Sequence, residues 1–492
     1  MTTRQATADG LAHDAVSLRH VLGEGFISNG PLASVTVALA AAAAFGAGAL
    51  PLTVLLGALI ALTWINTPYQ FSAYINSAGG IFSFIRSTLG DRWGFAGSLG
   101  YYFYYVLLVP GNALVLTGLF TWLGGDLGIT VPSWLWIAVI AVTAVPPFLL
   151  AYFKITPSLT YGIFTAAIEA VVVVGVAIAL IIHAGSANTG KVFTSPHLAL
   201  NGWHGVIVGM AVASTALGGP DAVVFLGEES RSARSTIRKA LLITQFSVIA
   251  LYLLYSYAAT VAWGPEHMGT FATSPAPGLV LVQSISGKGL VVIVALLVLN
   301  SSIGVNLAIN ITASRMLFDH GRVGVLPASF RRTHPRLLTP VVALTITFVI
   351  EVVAGVAARL IWGTIDGFLV CLVGATAGGI FSFVITDVAL IVLGRREKLK
   401  RVLWVVVVPL VSIALLGLSI YGNFFPITFP STIGPIFVLA CMATGFVYAA
   451  IRMSGRRQVA LPTDPVGLGA LDAGDLVANR VDAEESSRTG AR

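Results

Sequence analysis

Asp221 and Glu169 are carboxylates placed inside apolar runs of a 492-residue chain. An ionisable side chain within a membrane-spanning stretch is expensive and functional by default. Glu169 stands among aliphatics in Thr165-Ala166-Ala167-Ile168-Glu169-Ala170. Removal from water disfavours the charged form of a carboxyl. A carboxyl that gains and loses a proton as its surroundings open and close can couple solute movement to a proton gradient. The competing reading is a permanently neutral Glu hydrogen-bonded between helices. Asp221 either meets a cationic group or bonds a nearby Ser, Thr or backbone amide.

These residues need elements that can hold them. Asp221 belongs to Ser214-Thr215-Ala216-Leu217-Gly218-Gly219-Pro220-Asp221-Ala222, inside an apolar run from about Val206 to Leu226. Two glycines and a proline make a poor continuous helix, because Pro220 removes one donor and clashes one turn back. Irregular backbone in a membrane survives only where protein or a water-filled cavity satisfies it. A second interruption, Ser28-Asn29-Gly30-Pro31-Leu32-Ala33-Ser34, lies near the N-terminus. Paired Gly/Pro-interrupted segments in two halves of a chain point to a transporter's binding site. The first break would free backbone N–H groups at the start of a half-helix, a place that suits a carboxylate. The second, over Ala216 to Asp221, would leave carbonyls that suit an ammonium. Facing each other at mid-membrane, they would clamp the zwitterionic part of an α-amino acid. The bland alternative is a pair of proline kinks repaired by neighbouring helices.

Composition agrees with a membrane setting. The chain is 56% hydrophobic and 10% charged, with mean hydropathy +0.89, whereas soluble chains are roughly 25% charged. Twelve apolar spans are expected, at about 21–47, 51–75, 93–124, 132–153, 157–183, 202–227, 237–263, 288–317, 338–361, 365–393, 402–422 and 429–452. Each is near or above the ~20 residues a helix needs to cross. With the N-terminus in the cytoplasm, all the Lys and Arg residues except Lys191, Lys288 and Arg359 fall on the inner side, as the positive-inside rule requires. Both termini are therefore expected in the cytoplasm of a multi-pass plasma-membrane protein. The net charge of +7 sits in loops between spans, so no nucleic-acid partner is expected. The first 20 residues are polar, including Asp9, His13, Asp14 and Arg19, and do not resemble a cleavable signal peptide. Cys371 and Cys441 lie in apolar runs, which gives no disulfide framework.

The expected organisation is an N-terminal cytoplasmic tail (1–17), a five-helix repeat (18–184) and an extracellular connection (185–201). A second, inverted five-helix repeat (202–393), two further helices (394–452) and a disordered cytoplasmic tail (453–492) complete it. Ala78 to Phe84 recurs literally at Ala377 to Phe383, but at a spacing that does not match the two breaks.

At four places the chain resembles the amino acid–polyamine–organocation (APC) superfamily. Ser77-Ala78-Gly79-Gly80-Ile81-Phe82 is similar to its "Pro-x-Gly-Gly-x-Tyr" signature, with Ser77 and Phe82 as departures. Gly219-Pro220-Asp221-Ala222 with Gly227-Glu228-Glu229-Ser230 resembles its "Gly-Phe-Asp/Glu-Ala … Glu-Glu" element. Arg231 to Ala240 resembles the basic stretch that follows. Asn300 to Arg315 with Gly321-Arg322-Val323-Gly324-Val325-Leu326-Pro327 is similar to its "Asn … Arg … Gly-x-Leu-Pro" run. The resemblance implies two inverted five-helix repeats plus two helices, discontinuous helices 1 and 6, and a secondary active transporter importing amino acids by alternating access. Proton coupling is expected, with a polyamine or organic-amine exchanger as the alternative. Some proton-coupled relatives carry a lysine where Glu169 stands.

Other motifs have two readings. Ser302, Asn306 and Asn310 share one helix face; in the family this span faces the first break, and Ser302 and Asn306 are coupling candidates beside Glu169. Interhelical asparagine bonding is the commoner use of such a stripe. Tyr101, Tyr104, Tyr105 and Leu108 can lie on one face, as an interfacial aromatic belt or as pocket lining; the belt is the expected role. Glu228 and Glu229 with Arg231, Arg234, Arg238 and Lys239 form either an inner gate of ion pairs or a solvated loop. Glu351, Asp366 and Asp387 receive no role. An ion channel would want a symmetric filter, and a membrane enzyme would want a metal or catalytic cluster. His183, His197, His204 and His267 read as scattered outer-surface residues. No enzyme activity, cofactor or metal is expected; the bilayer, protons and a small solute are the expected partners, and oligomeric state is open.

Overall fold

The computed structural model describes residues 10–424 and 429–453, and among these it is all-helical, with a single isolated bridge, Val16 to Ser230, and no strand. The tail 454–492, expected to be disordered, lies outside the described residues. In order, the helices are α1 Leu18–Ile27, α2 Leu39–Gly46, α3 Leu50–Phe71, α4 Ile81–Leu89, α5 Asp91–Val106, α6 Leu108–Asp126 and α7 Leu135–Tyr152. They continue as α8 Ile155–Ala184, α9 Trp203–Ala216, α10 Ala233–Trp263, α11 Lys288–Val323, α12 Val341–Arg396, α13 Val408–Phe424 and α14 Ile433–Arg452. Ten helical stretches among the described residues are long and apolar enough to cross a membrane.

The exterior is apolar: Phe164, Val171, Ile182, Leu360 and Ile436 are exposed, while Glu24, Glu169, Asp221, Glu229, Glu351 and Asp387 are buried. Soluble proteins do the reverse with their charges. This chain is a multi-pass membrane protein.

Two expectations meet the structure directly. The interruption at 28–34 is a true break: α1 stops at Ile27, and the chain resumes helically only from Pro31. At the second interruption α9 stops at Ala216 and a 3-10 helix runs over Pro220–Glu229. The two copies of the literal repeat adopt different structures. Ala78 to Gly80 form a turn, with Gly80 at φ +46°, whereas Ala377 to Phe383 are inside α12.

The 56-residue α12 would be about 84 Å long if straight, far beyond the ~30 Å hydrocarbon core. Its backbone leaves the helical region at Gly363. Its two halves then fold against each other, with the Ala358 carbonyl 2.7 Å from where a Cβ on Gly367 would sit.

Candidate functional site

The two breaks meet each other. Gly30 takes φ +56° and Gly219 φ +115°, a region glycine enters freely and other residues do not. Pro31 and Pro220 each open the following helical segment, where a missing N–H costs nothing. A Cβ on Gly219 would lie 2.7 Å from the Ser28 carbonyl, so the backbones touch there.

Side chains of the first break satisfy carbonyls of the second. Ser28 Oγ donates to the Gly219 carbonyl at 2.7 Å. Asn29 Nδ2 donates to the carbonyls of Ala216 at 2.9 Å and Gly218 at 2.6 Å. Its Oδ1 accepts from the Tyr252 hydroxyl at 2.9 Å. Ser34 Oγ returns to the Asn29 carbonyl at 2.9 Å. The Leu217 carbonyl accepts from Gln245 Nε2 at 3.3 Å. The carbonyls expected to await an ammonium are thus already engaged by the protein's own amides and hydroxyls.

The freed N–H groups of the first break are engaged too. Leu32 N–H donates to Glu169 Oε2 at 3.1 Å, and Ala33 N–H to Ser301 Oγ at 3.2 Å. Glu169 is 1% exposed. Its carboxyl stands where a solute carboxylate was expected, and its Oε1 has no hydrogen-bond partner among the described residues.

Asp221 turns from Ser28 and Asn29 to α5. Tyr101 Oη donates to its Oδ2 at 2.7 Å, and the Gly219 N–H reaches its Oδ1 at 3.3 Å. Tyr105 Oη donates to the Gly219 carbonyl at 3.2 Å. Tyr101, Tyr104 and Tyr105 are all buried, so the expectation of an interfacial belt is corrected: this face of α5 packs onto the second break. The reason is that Asp221 and the Gly219 carbonyl need donors, and hydroxyls on a rigid ring supply them. Replacing Tyr101 with Phe leaves a buried carboxyl one donor short. Hydrogen bonds to charged groups contribute about 1.5–3 kcal/mol, so solute uptake by Tyr101→Phe in proteoliposomes should fall by roughly 10- to 100-fold. Uptake within twofold of the parent would remove Tyr101 from the site.

Beside the second break lies a small cavity of about 40 Å³, bordered by Trp64, Tyr104, Thr215, Gly218, Asp221 and Phe383. Ligand pockets span ~300–1,000 Å³, so the site is largely closed on itself. Leu217, Gly218 and Asp221 border this space; Ser28 to Ser34 do not, and neither does any residue of α11.

Two further expectations meet the structure. Asn306 turns its amide to α6 and α7. Asn306 accepts from Asn112 at 3.2 Å and donates to the Thr143 carbonyl at 2.8 Å, and Asn310 donates to Glu351 at 3.3 Å. On the same helix, the Ser301 hydroxyl is the one that accepts from the first break, at the Ala33 N–H. The acidic pair Glu228 and Glu229 binds α11 instead of the basic run after it. Arg315 grips Glu229 with Nε at 2.5 Å and Nη2 at 3.1 Å, and Arg322 holds Glu228 at 2.6 and 2.8 Å. Arg231 is exposed and donates to the Asp14 carbonyl, while Arg238 stacks over Tyr69. Asp387 pairs with the Thr67 hydroxyl. From the sequence no site role was read for Ser301, Tyr252, Gln245, Arg315 or Glu24; of these, Arg315, which ends the Asn300 to Arg315 run, and Tyr252, one turn before Tyr255, left a visible trace.

A family model described as "Amino acid permease" matches residues 25–455. The chain belongs to the amino acid permease family. Among curated relatives, it is 25% identical over 353 residues to a branched-chain amino acid permease of Bacillus subtilis (strain 168), covering 67% of this chain and 70% of that one. It is 22% identical over 321 residues to a probable amino-acid permease of Schizosaccharomyces pombe, covering 62% of this chain and 54% of that one. An uncharacterized transporter of Mycobacterium tuberculosis (strain H37Rv) is 24% identical over 386 residues, covering 77% of this chain and 80% of that one. As a permease-family member the chain belongs with transporters of small molecules, not with enzymes. In this permease the two breaks, far apart in sequence, are the best candidate for the path of the solute.

Proposed function

We propose that this permease imports amino acids across the plasma membrane by alternating access, driven by a proton gradient, with both termini in the cytoplasm. The observation that carries this is the mutual contact of two broken segments, Ser28 and Asn29 on the carbonyls of Ala216, Gly218 and Gly219. A site that is closed on itself, with every freed group held by the protein's own side chains, suits an occluded arrangement that a solute would enter by exchange. In that reading the substrate meets Ser28, Asn29, Gly30, Pro31, Leu32, Ala33 and Ser34 from one side. It meets Ala216, Leu217, Gly218, Gly219 and Asp221 from the other. The twelve crossings, in two inverted five-helix repeats (18–184 and 202–393) plus two helices, are supported by the breaks, which begin corresponding parts of each half. The turn at Gly363 supports two crossings within α12.

A second reading, an exchanger of polyamines or other organic amines, gains from Glu169. Its carboxyl already sits on the Leu32 amide, and an amine without a carboxylate would not compete for that place.

Uptake into liposomes bearing the purified protein, with labelled amino acids and amines and with or without an inward proton gradient, tests both readings. Gradient-dependent amino-acid accumulation supports the first; gradient-independent exchange of amines supports the second. Glu169→Gln keeps an acceptor oxygen for Leu32 but cannot ionise. It should exchange substrate across the membrane yet fail to concentrate it. Unaltered gradient-driven accumulation by this variant would take the proton role from Glu169.

A further inference from the structure

Glu24 lies on α1 one turn before Ser28, is fully buried, and neither of its carboxyl oxygens has a hydrogen-bond partner among the described residues. Arg315 and Glu229 are the charged groups that act on it, and the backbone just before α1 is bonded to Glu229, Val16 N–H donating to its carbonyl at 2.9 Å. Arg315 is 4% exposed and is committed to Glu229 through Nε and Nη2, and to the Ile311 carbonyl through Nη1 at 3.1 Å. Two buried carboxyl groups therefore share one cation. With Glu24 ionised the cluster carries an excess negative charge in a medium that penalises it; with one proton on Glu24 it is neutral.

We propose that Glu24 is a proton-binding site of the closed inner half of the transporter, one proton being taken up as α1 packs onto Arg315–Glu229 and released to water as α1 swings away. The step is the association of a proton from water with the Glu24 carboxylate; the Arg315–Glu229 pair stays charged throughout. The inference deepens the transport reading and rests on it, and it adds a proton site distinct from Glu169, which lies beyond the break at Leu32.

Among the described residues, the surroundings offer Glu24 no other counter-charge. On α1 itself Arg19 is exposed and His20 is bonded to Ser17. The helices α8 and α10 meet α1 through Leu159, Ile163 and Thr244. On α8, Tyr161 bonds Asn300 and His183 is exposed. On α10, Arg234 lies toward the helix start, Arg238 stacks on Tyr69 and Lys239 is exposed, while Tyr252 bonds Asn29. On the 3-10 helix Asp221 is held by Tyr101 and Glu228 by Arg322. On α11 Asp319 pairs with Arg322, and His320 bonds Ser98 at 2.8 Å.

The test reads the gate without any substrate, so its failure and a failure of the transport reading are separable. Ile27 is buried and three residues from Glu24. An Ile27→Cys reporter, with Cys371→Ala and Cys441→Ala, is placed in lipid nanodiscs and its labelling rate by a water-soluble thiol reagent is followed against pH. Rates are divided by those of a small model thiol, which removes the reagent's own pH dependence. With Glu24 present, the corrected rate should climb as pH rises, by up to about tenfold per pH unit, the limit for a one-proton step. Glu24→Gln should label slowly at every pH. Glu229→Gln should also be flat, since Arg315 is then free to balance an ionised Glu24. Glu24→Asp should keep the climb. A merely structural Glu24 would alter the rate without altering its pH dependence. A flat rate with Glu24 in place, or an undiminished climb in folded Glu24→Gln, overturns the proposal.

Discussion

Arg315→Met should leave the permease markedly less stable in detergent and inactive in liposomes. The substitution keeps most of the side-chain volume but strands Glu229, 1% exposed, with its hydrogen-bonded cation gone. Breaking a buried pair by removing one partner costs about 3–5 kcal/mol, because the remaining charge stays in a poor solvent. Arg315 also ties α11 to the end of the 3-10 helix that follows the second break, so the loss falls on the packing between them. The check is the melting temperature of the purified protein, with size-exclusion homogeneity. The double change Arg315→Met with Glu229→Gln should recover much of the loss, since it removes the stranded charge along with its partner. A single variant as stable as its parent would show that the pair contributes nothing to this state.

The second large effect is at Asn29. Its side chain joins three elements, donating to the carbonyls of Ala216 and Gly218 and accepting from Tyr252 on α10. Asn29→Ala leaves two carbonyls and a hydroxyl wanting partners in a buried place. Each stranded group costs about 1–3 kcal/mol, and uptake should drop by ~100-fold or more. Asn29→Asp is the sharper test. It has nearly the same shape, yet it sets a carboxylate oxygen against the Ala216 and Gly218 carbonyls, where a donor is required. It should be as impaired as Asn29→Ala in uptake by folded, reconstituted protein. If Asn29 were only filling space, the aspartate would be tolerated.

How much of this was readable beforehand follows from what each kind of signal encodes. Membrane spans, both breaks and the exceptional character of Asp221 and Glu169 came from the sequence. Hydropathy over ~20 residues reports the solvent of a helix, and Gly-Pro pairs report where it cannot continue. These are local properties, set within a few residues of where they act. The direction in which a side chain points is not local. A helix turns ~100° per residue, so spacing alone does not reveal that Ser301 is the α11 residue whose hydroxyl meets the first break. Composition also could not tell Tyr101 as an interfacial residue from Tyr101 as the donor to Asp221, because a tyrosine suits both places.

Ion pairing was decided only by the tertiary structure. Glu229 has basic residues two to ten positions away, yet it binds Arg315, 86 residues on, because the nearer arginines can reach water or an aromatic face. The same holds for the break itself. Its chemistry was legible as a set of freed donors and carbonyls, but their present partners, Asn29 and Glu169, arrive from segments that only packing brings together. The sequence by itself determined where the backbone must break; the tertiary structure decided which side chains satisfy what the breaks expose, since a buried polar group takes the donor or acceptor that geometry puts within 3 Å or so of it, however far away in the chain.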